Sequence, residues 1–251
     1  MNITKRLTVL MAIATLAACG SGDDSNSVDS GNAGGAGGGG SPAGVIYSAQ
    51  AYLKAANATD HSLYGNAIAI SSDTLVVGAY NQGSGANRPG GAYVLKRTGT
   101  TWAQEAYLTA SNAEDADQFG TSVAISGDTI VVGAICESSS LTTIRMVTVF
   151  PNNNDSGCSG AAYVFKRTGT VWAQEAYLKA SNANALNDPL DPTSGYLTAV
   201  EFGWSVAVSG DTIVVGAINE ASPLTTITNG AGAASLDTSA FGSGAAFVYK
   251  R

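Results

Sequence analysis

One block of sequence occurs three times along this chain, and that recurrence limits its fold more than any other feature. The copies open with Gln50-Ala51-Tyr52-Leu53-Lys54-Ala55, Gln104-Glu105-Ala106-Tyr107-Leu108-Thr109-Ala110 and Gln174-Glu175-Ala176-Tyr177-Leu178-Lys179-Ala180. Each then reaches an aromatic–glycine pair: Tyr64-Gly65, Phe119-Gly120 or Phe202-Gly203. A hairpin-like stretch follows, such as Ser122 to Ala134, and an aromatic run closes the copy: Ala92-Tyr93-Val94-Leu95, Ala162-Tyr163-Val164-Phe165 or Ala246-Phe247-Val248-Tyr249. A basic pair comes next each time: Lys96-Arg97, Lys166-Arg167 and Lys250-Arg251. A unit of this size cannot bury its own apolar face, so the copies must stack on one another.

The pieces read as strands. They are short, β-branched or aromatic, and bounded by Gly, Ser, Asp and Asn. Gly127-Asp128 and Gly210-Asp211 have the form of two-residue hairpin turns, where glycine supplies the positive φ of a primed turn. Ser72-Asp73 takes that place in the first copy, a less comfortable choice. Runs such as Ile130-Val131-Val132-Gly133-Ala134 are apolar on both faces, as expected of sheets packed between sheets. The expected fold is therefore all-β, of β-propeller type, with about three four-stranded blades. By sequence the repeats span 50–103, 104–173 and 174–251.

Phe119-Gly120 with Val132-Gly133-Ala134, and Phe202-Gly203 with Val215-Gly216-Ala217, resemble the FG-GAP repeat of integrin α-chain propellers. The likeness is closer to the bacterial version, with its Ser159-to-Phe165 strand and its Trp-Ala-Gln link, Trp102 to Gln104 and Trp172 to Gln174. It covers roughly residues 48 to 251, and it implies a propeller engaged in extracellular recognition or adhesion. Two departures stand out. Propellers generally close with about four to eight blades, whereas three repeats are present and the chain ends at Arg251. A truncated product, an open arc and a ring completed by other copies all remain open. The calcium loop of integrin-like propellers is reduced here to Gly127-Asp128 and its equivalents, so no metal is expected there.

Ahead of the repeats lies a different kind of segment. Lys5-Arg6, the apolar run Leu7 to Leu16, and Leu16-Ala17-Ala18-Cys19 together resemble a bacterial lipobox. The expectation is a signal peptide over 1–18, lipid attachment at Cys19, and a flexible Gly/Ser-rich tether over 19–44 ahead of the domain at 45–251. That places the chain in the cell envelope, as an outer-membrane lipoprotein held through its lipid. The formal net charge of −7 argues against nucleic acid, whose phosphates need clustered Lys and Arg.

Candidate sites are few. Cys136 and Cys158 flank the insertion of the second repeat; in an oxidising compartment they would staple it, and two free thiols are the alternative. Glu114, Asp115 and Asp117 precede Phe119, and solvated loop acids are the expected reading over a metal site. His61 is the only histidine and has no nucleophile elbow to serve, so it reads as an exposed loop residue. The tyrosines Tyr52, Tyr107 and Tyr177, with Trp102 and Trp172, read as packing between blades. Trp204 breaks the repeat at the positions of Asn66 and Thr121, as an individual packing solution or a ligand platform. Long loops at 80–91, 135–160, 186–200 and 218–244 are where recognition would sit.

The expected function is a surface-tethered, non-enzymatic binding or adhesion module. It would need no cofactor and would take a protein or glycan ligand. The alternative is a structural subunit that self-associates to complete a ring, and the least favoured reading is a hydrolase or its accessory domain.

Overall fold

The computed structural model describes residues 48–146, 157–183, 200–230, 237, 239–240 and 242–251. Cys19, the signal segment and the tether lie outside the described residues, as does all but Val200 of the 186–200 loop.

Two-residue turns organise the strands. β1 (Ile68–Ser71) turns into β2 (Thr74–Ala79) with Ser71 opposite Thr74. β3 (Gly91–Thr98) and β4 (Thr101–Leu108) complete an antiparallel sheet in the order β1-β2-β3-β4. The second sheet repeats this with β5 (Phe119–Ser126), β6 (Thr129–Ala134), β8 (Ala161–Thr168) and β9 (Val171–Leu178). The two-residue β7 (Arg145–Met146) adds to the far side of β9. The third sheet holds β10 (Phe202–Ser209), β11 (Thr212–Ala217) and β12 (Ala245–Lys250) among the described residues. Gly127 and Gly210 carry the positive φ of their turns, and Ser72 adopts φ 52° in the first copy, a conformation that costs a non-glycine residue about 1–2 kcal/mol.

The sheets are cut out of phase with the sequence repeat. The segment that opens the second sequence copy, Gln104 to Leu108, is the tail of the last strand of the first sheet. Gln174 to Leu178 stands likewise on the second sheet. The same register recurs: Tyr93 faces Tyr107 and Tyr163 faces Tyr177, with a one-residue bulge immediately after Val94 and Val164. The corresponding first segment, at Ala51 to Ala55, lies in no strand, and Tyr52 is 87 % exposed rather than packed.

Neighbouring sheets meet through apolar faces. Val76, Ala92 and Val94 of the first sheet pack against Val123, Ile130, Val132 and Tyr163 of the second. Val131, Ala162 and Val164 on the second sheet's other face pack against Ile213 and Val215 of the third. This explains the doubly apolar strands of the second sheet, each of whose faces has its own neighbour. At the first-strand ends the approach is closest. A Cβ on Gly78 would stand 2.1 Å from the carbonyl oxygen of Gly120, and one on Gly133 would stand 2.1 Å from that of Gly203.

The turn aspartate of each copy also pairs with a residue of the closing basic pair, which spacing alone did not reveal. Arg97 bonds Asp73 at 2.7 Å, Arg167 bonds Asp128 at 2.6 Å, and Lys250 pairs with Asp211. The guanidinium carbons of Arg97 and Arg167 sit 5.6 and 5.1 Å above the rings of Trp102 and Trp172. The tryptophans thus brace the β3–β4 and β8–β9 hairpins.

The glycine contact supplies a test. Gly133→Ala should lower the stability measured by urea denaturation by at least about 3 kcal/mol, because the new methyl meets backbone on a neighbouring sheet. Gly99→Ala, with open space around its Cβ and φ 61°, should cost only about 1–2 kcal/mol.

Candidate functional site

The first strand of each sheet lies against that of the next, β1 against β5 and β5 against β10, whereas the last strands diverge. A cleft of about 430 Å³ opens at this convergence, lined by Asn66, Tyr80, Gln118, Thr121, Ile135 and Trp204. Asn66, Thr121 and Trp204 are the same position in the three repeats, each directly after the aromatic–glycine pair.

Their placement is a local matter. The residue before each aromatic is left-handed: Leu63 at φ 56°, Gln118 at 61° and Glu201 at 52°. Its carbonyl then accepts the amide N–H three residues on, from Asn66, Thr121 and Trp204 at 3.1, 3.2 and 3.2 Å. A non-glycine residue held at positive φ is strained, and such strain persists only where the surroundings over-determine it. Here it recurs three times to aim one side chain per repeat at the cleft. Asn66 Nδ2 donates to the Thr121 carbonyl at 3.0 Å, and the Thr121 hydroxyl donates to the Gln118 carbonyl at 2.7 Å. The Trp204 ring remains 45 % exposed. The lining is neutral: two amides, a hydroxyl, a phenol, an isoleucine and an indole.

Beneath the loop end of the second sheet lies a buried polar seam that sequence reading missed. The Lys179 ammonium donates to Glu137 Oε2 at 2.8 Å and to Ser159 Oγ at 2.7 Å. Asn112 donates to Glu137 Oε1 at 3.2 Å, and Tyr163 donates to Asn112 Oδ1 at 2.8 Å. The seam recurs in part: Asn182 donates to Glu220 at 2.6 Å, and Tyr93 donates to Asn57 at 2.7 Å. Gln82, Glu137 and Glu220 each sit three residues beyond a Gly-Ala pair, so their spacing was a usable signal. Each also accepts a glycine N–H on its carbonyl, from Gly90, Gly160 and Gly244. Desolvation drags the Lys179 ammonium below its ordinary range, against the pull of Glu137. The pair is locked structure rather than exposed chemistry.

Cys136 and Cys158 are joined by a disulfide at the base of the second-sheet loop; residues 147–156 of that loop lie outside the described residues. The three acids before Phe119 do not converge. Asp115 accepts the backbone N–H of Arg88 at 2.7 Å, and Asp117 is buried and accepts that of Glu114 at 2.8 Å. Among the described residues no group of three or more metal-ligating side chains occurs. His61 is an exposed loop residue at φ 60° whose carbonyl accepts from Asn81.

Burial pushes the Asp117 carboxyl up to about 7, against an ordinary value near 3.8 in the unfolded chain. The folded state therefore holds this proton more tightly, and stability from Asp117 is present below about pH 4 and lost as pH rises towards 7. Asp117→Asn keeps the acceptor for Glu114 and removes the titration. Its melting temperature relative to the parent should rise between pH 4 and 7, and a pH-independent difference would contradict this.

A family model described as FG-GAP repeat matches residues 47–95, 102–165 and 194–249. A search of curated proteins finds no match.

Proposed function

The chain belongs to the FG-GAP repeat family, and from that premise we propose that it is a non-enzymatic binding module, anchored in the cell envelope through a lipid on Cys19, whose axial cleft takes a glycan. Propeller-type modules of this family often serve binding or adhesion. The observation that carries the reading is the convergence of Asn66, Thr121 and Trp204, one position that differs in all three repeats while its backbone placement repeats. A scaffold keeps its packing residues alike and varies the residues that touch a ligand.

The ligand class follows from the lining. With no charged side chain on the cleft, ions and charged peptides gain no pairing there. The exposed indole of Trp204 offers an apolar face for the C–H side of a pyranose ring, while Asn66, Gln118 and the Tyr80 hydroxyl offer donors and acceptors for its hydroxyls. The tether of Gly and Ser residues would hold the domain clear of the lipid surface.

Two experiments test this. Against a panel of immobilised neutral oligosaccharides, the parent should bind at least one, and Trp204→Ala should weaken that binding at least about tenfold, roughly 1.4 kcal/mol, with its melting temperature unchanged. Equal binding by the variant, or no binding by the parent, overturns the cleft assignment. For the anchor, cells fed radiolabelled palmitate should label the parent but not Cys19→Ser; label on both, or on neither, refutes it.

A further inference from the structure

The two ends of the sheet array are halves of a contact that the chain already makes twice. On the first sheet, Ile68 and Ile70 are 69 % and 61 % exposed, whereas their equivalents Val123 and Ile125 pack against the sheet before them. On the third sheet, Val248 is 69 % exposed, whereas its equivalents Val94 and Val164 are at most 2 % exposed beneath the sheet after them. The glycines agree. Gly78 meets Gly120 and Gly133 meets Gly203, but Gly216 has only Ser205 of its own sheet near its Cβ position and Gly65 has nothing within 4 Å. Polar contacts run the same way: Ser122 Oγ donates to the Gly203 carbonyl at 2.7 Å, and Ser71 and Ser126 accept the N–H of Gly127 and Gly210. Ser205 and Ser209 are the next donor and acceptor in the series, and both are exposed.

A strand position is open at the same end. Among the described residues β12 pairs with β11 alone, where β3 and β8 each carry a further strand. The strands carried there end in Ala106-Tyr107-Leu108 and Ala176-Tyr177-Leu178, and the segment Ala51-Tyr52-Leu53 has that sequence and lies in no strand. Leu53 and Ala55 are already packed on the first sheet, which leaves Tyr52 pointing into solvent.

We propose that two copies of this chain join head to tail, the third sheet of each packing on the first sheet of the other, with Ala51–Leu53 of the incoming copy paired as the fourth strand on β12. The internal register transfers directly: Leu53 opposite Ala246, Tyr52 opposite Phe247 and Ala51 opposite Val248. A head-to-tail contact makes a ring if its rotation closes and a filament if it does not. The described residues of two chains hold six sheets, inside the range of about four to eight at which propellers close. The occupant is a second copy because the open faces and the open strand position each match a segment of this same sequence. The assembly does not rest on the ligand reading, since neither Ile68, Val248 nor Tyr52 lines the cleft.

Directly opposed strand residues are close enough for a disulfide. The test is the full chain with Cys19→Ser, carrying Ala51→Cys and Val248→Cys, oxidised with copper phenanthroline and run on a non-reducing gel. Both positions are exposed, so the variant should fold. A covalent dimer is expected from the double variant and from a one-to-one mixture of the two single variants, and from neither single variant alone. A bond within one chain, a ladder of higher multiples, or thiols that stay free would each overturn the proposal. Independently, sedimentation equilibrium of the unaltered chain should give twice the chain mass; the mass of one chain would overturn it.

Discussion

The approach of backbone to backbone at Gly78–Gly120 and Gly133–Gly203 is the constraint on which the arrangement of sheets depends. At 2.1 Å from a neighbouring carbonyl there is no room for a Cβ, so these positions accept glycine and the second strand of one sheet touches the first strand of the next. Beside these glycines the facing surfaces are filled by valines and isoleucines together with Phe119, Tyr163, Phe165 and Trp172. The glycine of each Phe-Gly and Gly-Ala pair lets the backbones meet, and the neighbouring aromatic fills the space between the sheets.

The polar seams solve a second problem created by the same geometry. Where strands end between tightly packed sheets, backbone and side-chain polar groups are cut off from water and need partners. Gln82, Glu137 and Glu220 answer this at equivalent places, binding an asparagine side chain or its backbone and accepting a glycine N–H. The second copy holds an ion pair in which desolvation and Coulomb attraction oppose one another. Removing one partner from such a pair generally costs more than the pair contributes. The disulfide at Cys136 and Cys158 stands just above it and closes the insertion. Together they let a long loop leave the sheet without loosening it.

The cleft and the open ends differ in kind. In the cleft, backbone geometry repeats and side chains vary: Asn66, Thr121, Trp204. At the ends, side chains repeat and their surroundings vary: Val94 and Val164 are covered, Val248 is not. The first pattern suits recognition of something other than the chain itself, and the second suits association of the chain with its own kind.

Much of the fold was legible in the sequence. Repetition, two-residue turns and strands apolar on both faces are local or periodic signals, and they determined the all-β class, the stacked sheets and the hairpins by themselves. The phase of the sheets was not legible. Gln104 to Leu108 and Gln174 to Leu178 begin a sequence copy but end a sheet, and a periodic pattern looks the same wherever it is cut. Trp204 was visible as a break in the repeat, yet its meeting with Asn66 and Thr121 required the strands to converge. The pairings of Asp128 with Arg167 and of Lys179 with Glu137 join residues 39 and 42 positions apart. Tertiary structure decided these, because whether a charge is solvated or buried against a partner depends on which sheets pack above it, and local sequence does not carry that information.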